Sequence, residues 1–122
     1  MSNVAIDGKD INVLEHKHVS KNTGKVMYQQ FLLNDDDTEM MIKQIRYPKG
    51  VITSWHTHNC AHGCYVLEGT LYCDSKGNGP KGEFGVGSFV WWEEGDIMEH
   101  GGKNEDVEVL FITNKKFDIN YL

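Results

Sequence analysis

Three histidines, His56, His58 and His62, fall within seven residues, and Gly50 and Gly69 bracket them as G-x5-H-x-H-x3-H-x6-G. Alternate residues of a β-strand point to one face, so a strand here projects His56 and His58 together, about 6 to 7 Å apart. A third imidazole supplied after a short bend can join them around one divalent ion. Neutral imidazole suits zinc, copper, iron and nickel. Glycine permits the tight reversals that such a strand needs at its ends. A fourth histidine, His100, follows in the glycine-containing stretch 87–104, where Met98 shares its strand parity. His16 and His18 form another H-x-H pair, without glycine brackets or a third histidine. They read as part of an exposed N-terminal strand or an oligomer contact.

The remaining chemistry-bearing residues read more simply. Cys60 lies in the bend between His58 and His62, and Cys64 has the parity of His62. C-x3-C alone is a weak ligand spacing and free cysteine is often a small buried apolar residue, so both read as wall or supporting positions and not as ligands. Cys73 is expected in the core. Trp91 and Trp92 must point to opposite faces of a strand, so one of them at most lines a given cavity. Most of the aromatic residues near the histidines, including Trp55, Tyr47 and Tyr65, are expected to be packing. Glu93, Glu94 and Glu99 read as solvated loop charges.

Short strands must position these residues. Apolar and aromatic runs at 26–33, 40–47, 64–67, 70–73, 89–92 and 107–113 carry strand signals, and Asn, Asp, Gly and Pro separate them. Glu68-Gly69 is expected to close a hairpin, and residues 74–85 to form a loop. No window shows a sustained helical stripe. An antiparallel sandwich or barrel follows from this pattern.

The whole chain narrows the function further. At 122 residues it is expected to form one domain able to bury a core without disulfides. Three cysteines read as reduced thiols. Arg46 is the only arginine and the net charge is -6, so no basic stripe is present to track nucleic acid. No apolar run approaches the ~18 residues of a membrane span. No signal peptide is evident, and the chain is expected in the cytoplasm.

The first motif resembles that of the cupin superfamily, with His62 where the family usually has glutamate. The second cupin motif, G-x5-P-x-G-x2-H-x3-N, is matched by Gly87, Gly95, His100 and Asn104. Glu93 replaces its proline, and two extra residues place Met98 where the family has its ligand histidine. The resemblance implies an all-β jelly-roll barrel (the RmlC-like double-stranded β-helix) with a metal ion held by His56, His58, His62 and His100. It covers residues 50–104. It also implies a homodimer, with the segment up to Ser20 the element expected to cross to a neighbour.

Among cupins, the chain is similar to small dioxygenases that cleave acetylacetone or 2,4'-dihydroxyacetophenone. The phrases at 63–69, 87–90 and 105–111 carry that similarity. Some small manganese- or copper-binding cupins share the H-x-H-x3-H spacing. The resemblance implies a metal-dependent dioxygenase acting on a small dicarbonyl or aryl ketone, with iron(II) favoured over manganese, zinc, nickel or copper. All-histidine ligation leaves such an ion its full positive charge, which suits a chelating enolate. The alternatives are a metal-dependent ligand-binding or sensing module, and a non-redox lyase or isomerase.

Overall fold

A computed structural model describes residues 3–122. Two 3-10 turns, Gly8–Asp10 and Val13–Glu15, precede eleven strands, and there is no α-helix among the described residues. The strands are β1 (Lys17–Val19), β2 (Val26–Asn34), β3 (Met41–Tyr47), β4 (His56–His58), β5 (His62–Glu68) and β6 (Leu71–Ser75). They continue as β7 (Gly82–Phe84), β8 (Phe89–Trp92), β9 (Met98–Gly101), β10 (Val107–Thr113) and β11 (Ile119–Tyr121). One sheet runs β1-β2-β3-β10-β5-β8 and the other β11-β4-β9-β6-β7, with every pairing antiparallel. Among the described residues, no helix is long and apolar enough to cross a membrane.

Strand periodicity builds the core. β3 and β10 alternate buried and half-buried residues throughout, and their register sets Tyr47 against Val107, Ile45 against Val109 and Lys43 against Phe111. The inward face therefore carries apolar and aromatic side chains from both sheets, including Val66, Leu71, Trp92 and Met98. Each such side chain contributes about 1.5–3 kcal/mol when fully buried. Trp92 is fully buried on β8 and its Nε1 donates to Ser75 Oγ on β6 at 2.9 Å, which ties one sheet to the other. Trp91, on the opposite face, is half-buried, as alternation requires.

Several sequence expectations need correction. Glu68-Gly69 does not close a hairpin, because β5 pairs with β10 and β8 while β6 pairs with β9 and β7. The turn at Gly69 carries the chain across from one sheet to the other, at φ 75° and pressed against the Asp106 carbonyl. Residues 74–85 are not one loop: β6 continues to Ser75, and β7 pairs back onto it. Glu99 lies on β9, where it accepts a 2.9 Å hydrogen bond from Tyr72 Oη, and Tyr65 is exposed instead of packed. The short strand β11 carries too few residues for a periodic signal. Residues 1 and 2 of the expected N-terminal arm lie outside the described residues; the rest contributes β1 at the open edge of the larger sheet.

Arg46 braces the corner, with guanidinium contacts to Glu68, Asp106 and Glu108 at 3.1 to 3.4 Å. Gly69 and Gly87 allow a comparison, since both have positive φ but only Gly69 has backbone where a Cβ would stand. A non-glycine residue in the left-handed region costs about 1–2 kcal/mol. Gly87→Ala is expected to lose about that much stability in urea unfolding, and Gly69→Ala distinctly more. Equal losses would show that the crossing at Asp106 relaxes freely.

Candidate metal centre

The histidines reach the interior from three strands. β4 is only three residues long, and its alternation buries His56 and His58 while leaving Thr57 half-buried. β9, its neighbour, places His100 on the same inward side, with His56 paired to Met98 in register. His62 opens β5 in the other sheet, where its ring stacks on Trp92 at 5.3 Å between centroids. All four imidazoles are buried, with at most 3% of their surface exposed.

His56, His58 and His100 each offer a nitrogen within 4.8 Å of the other two. Metal–nitrogen bonds of about 2.0–2.1 Å place ligand nitrogens up to about 4 Å apart, so sub-ångström adjustments would close this set on one ion. His62 lies outside the three-nitrogen set, although its ring centroid is only 4.2 Å from that of His58. Met98 belongs to the apolar core cluster. The structure therefore brings together the histidines picked out by the sequence, with His62 one step removed.

Hydrogen bonding shows which nitrogens are free. His56 Nδ1 donates to the Ser54 carbonyl at 2.6 Å, His58 Nδ1 to the Asp118 carbonyl at 3.0 Å and His62 Nδ1 to the Cys60 carbonyl at 3.4 Å. A carbonyl only accepts, so the proton sits on Nδ1 and the lone pair on Nε2. His100 Nδ1 pairs with the Tyr47 hydroxyl at 3.3 Å. On all four rings Nε2 is buried without a hydrogen-bond partner. Unsatisfied buried nitrogens are rare in folded proteins and call for an explanation. A metal ion supplies one, because ligating histidines usually anchor their other nitrogen in this way.

Burial also keeps the rings neutral. It lowers the pKa of His56, takes His58 down to about 2 with help from neighbouring His62 and His56, and takes His62 down to about 4. His100 is held well below the usual histidine range for the same reason. Neutral imidazole is the form that binds metal. The cysteines take no part: Cys64 and Cys73 are core residues whose thiols burial pushes up, Cys73 to about 12. Cys60 is buried in the bend, with its thiol raised likewise.

A cavity of about 230 Å³ opens onto the cluster, lined by His56, His58 and His100 with Lys43, Phe111 and Phe117 prominent among the other walls. Sequence reasoning missed several of its features. Lys43 sits at an inward position of β3, between Met41 and Ile45, a parity signal legible in the sequence. Phe117, Ile119 and Tyr121 alternate along the C-terminal segment and close one side, with the Phe117 ring 4.6 Å from His58. Tyr47 is a partner of His100 and not packing alone. His18 remains exposed on β1 yet lines the mouth of the cavity, whereas His16 turns aside to Asn12 Oδ1 at 3.2 Å.

No family model and no curated protein sequence matches the chain. Solved structures do. A cupin-like protein from Thermotoga maritima superposes with a TM-score of 0.70 at 17% identity, covering 80% of this chain and 76% of that one. This chain has the cupin fold. The polyketide cyclase RemF from Streptomyces resistomycificus matches with a TM-score of 0.77 at 16% identity, over 100% of this chain and 86% of that one. The cupin fold is also shared with the DMSP lyase DddQ from Ruegeria pomeroyi, at a TM-score of 0.71 and 12% identity over 88% of this chain and 57% of that one.

Two outcomes are expected. Single alanine substitutions at His56, His58 or His100 should each remove metal uptake measured on untagged protein. His62→Ala and Tyr47→Phe should weaken it by about 10- to 100-fold, the range of residues that support ligands, and Met98→Leu should leave it unchanged. The metal-free protein should also lose stability in acid. Each folded-state histidine pKa lies below the ordinary 6.5, so below that pH the unfolded chain takes up protons that the native rings refuse. The slope is on the order of 1.4 kcal/mol per pH unit for each neutral ring. A flat denaturation midpoint between pH 7 and pH 5 would contradict it.

Proposed function

We propose that this cupin-fold chain is a metal-dependent enzyme acting on a small enolisable dicarbonyl or aryl ketone, with oxidative cleavage by dioxygen as its reaction. The observation that carries the reading is the set of four buried, unpartnered Nε2 atoms, three of them on the wall of one cavity. A divalent ion bound there, iron(II) in this proposal, would supply Lewis acidity and redox chemistry.

The chain's own residues do the rest. Three neutral imidazoles carry no charge to offset the ion, and no carboxylate lines the cavity among the described residues. An anionic enolate is therefore favoured over the neutral ketone. Phe111, Phe117 and Ile119 form apolar walls, which exclude bulk water and strengthen charge interactions inside. Ser54, Asp118 and Cys60 fix three rings through their main-chain carbonyls, so ring orientation is set before substrate arrives. A substrate of modest size is implied, because a cavity of about 150 Å³ already holds a benzene ring.

A non-redox reading has support of a different kind. Two structural neighbours are a cyclase and a lyase, and the same Lewis-acid site would serve such chemistry without dioxygen. An oxygen electrode separates the two. With iron(II)-loaded protein and acetylacetone or 2,4'-dihydroxyacetophenone, one dioxygen should be consumed per substrate lost. Substrate loss under anaerobic conditions would instead support the lyase or isomerase reading.

A further inference from the structure

Lys43 is the one formally charged lysine or arginine on the wall of the metal-site cavity, and it is buried there with 6% of its surface exposed. Its Nζ donates to Gln29 Oε1 at 2.9 Å. The rings of Phe111, Phe117 and Phe31 surround it at 5.0 to 5.5 Å. An ammonium group has three protons to donate, and no carboxylate ion-pairs with this one among the described residues. Asp35, Asp36 and Glu39 line a neighbouring outer cleft that shares Gln29, Lys43 and Phe117, without pairing to the ammonium. Burying an unpaired charge is costly, so a side chain kept in this position calls for an anionic partner.

We infer that Lys43, steadied by Gln29, is an anion-anchoring subsite that selects substrates carrying a carboxylate apart from their enolisable ketone and holds that carboxylate within the aromatic part of the cavity. The inference deepens the proposed function by adding a carboxylate to the substrate, and it rests on that reading for the place of the site. The geometry supports it from both sides. Phe111 faces Lys43 across β10 and β3 in register, while Phe117 contacts His58. An aromatic or short acyl body between these rings would therefore have its charged end at Lys43 and its other end toward the histidines. Burial lowers the Lys43 pKa to about 8; the group is still largely protonated at neutral pH, and an anion bound beside it would favour that form.

Benzoate and benzamide test this, since they share a shape and differ in charge. Calorimetric titration of chelator-treated, metal-free protein at pH 7 should show benzoate binding about tenfold or more tightly than benzamide, the size of one charge-assisted hydrogen bond. Lys43→Met replaces a buried cation with an apolar chain of similar length, so it should fold at least as stably. It should abolish the preference while leaving metal uptake as in the parent. The subsite is overturned if the parent fails to bind benzoate, if it binds both probes equally, or if Lys43→Met retains the preference. The parent comparison decides by itself should the variant not fold. Because the titration uses metal-free protein, absence of any metal uptake would defeat the proposed function without altering this result.

Discussion

The structure depends on keeping four imidazoles neutral and fixed inside an apolar barrel. Each ring gives up water, and three of them recover one hydrogen bond from a main-chain carbonyl. The Nε2 atoms recover none. An unsatisfied buried polar group costs about 1–3 kcal/mol, so the histidine cluster opposes folding unless something binds it. The surrounding core, built from alternating strands of both sheets, must offset that cost. Ion binding would then return it as affinity, because protein stability and metal binding are linked when only the native state holds the site.

The sheet arrangement makes such a cluster possible. A three-residue strand carries His56 and His58, and its neighbours on either side supply His100 and the closing segment of Ile119 and Tyr121. The opposite sheet contributes His62, held against the Trp92 ring. Trp92 in turn reaches Ser75 on the histidine-bearing sheet. The four histidines thus lie on paired strands, which suits a site whose nitrogens must stay within a few ångströms of one another.

In the proposed reading, charge would give the cavity its selectivity. An ion held by neutral imidazoles and the buried Lys43 would both be positive, and each would lower the cost of placing an anionic group against it. Burial holds His58 in its neutral form, with smaller contributions from His62, His56 and, least, Lys43. Apolar walls magnify these effects by lowering the local dielectric. Tyr47, buried and with its hydroxyl held well above the ordinary tyrosine range by burial, stays protonated beside His100. Among the described residues, the cavity lining therefore carries no negative side chain.

Local spacing alone determined much of this protein. Alternation of period two is a property of the chain, so the strands at 89–92 and 107–113, the shared face of His56 and His58, and the opposite faces of Trp91 and Trp92 were legible in sequence. Glycine spacing likewise marked the corners. Pairing is not local, and only the tertiary structure decided it. Gly69 looks like a hairpin turn in sequence, but its neighbours hydrogen-bond to different sheets, since β10 on one side of β5 and β8 on the other leave β6 no partner there. Lys43 has the parity of a core residue, yet its chemical meaning depends on Phe111, Phe117 and Gln29 arriving from three other segments. The convergence of His56, His58 and His100 comes from the pairing of β4 with β9 in one sheet, and the position of His62 just outside them from the packing of the other sheet against it, neither of which residue spacing contains.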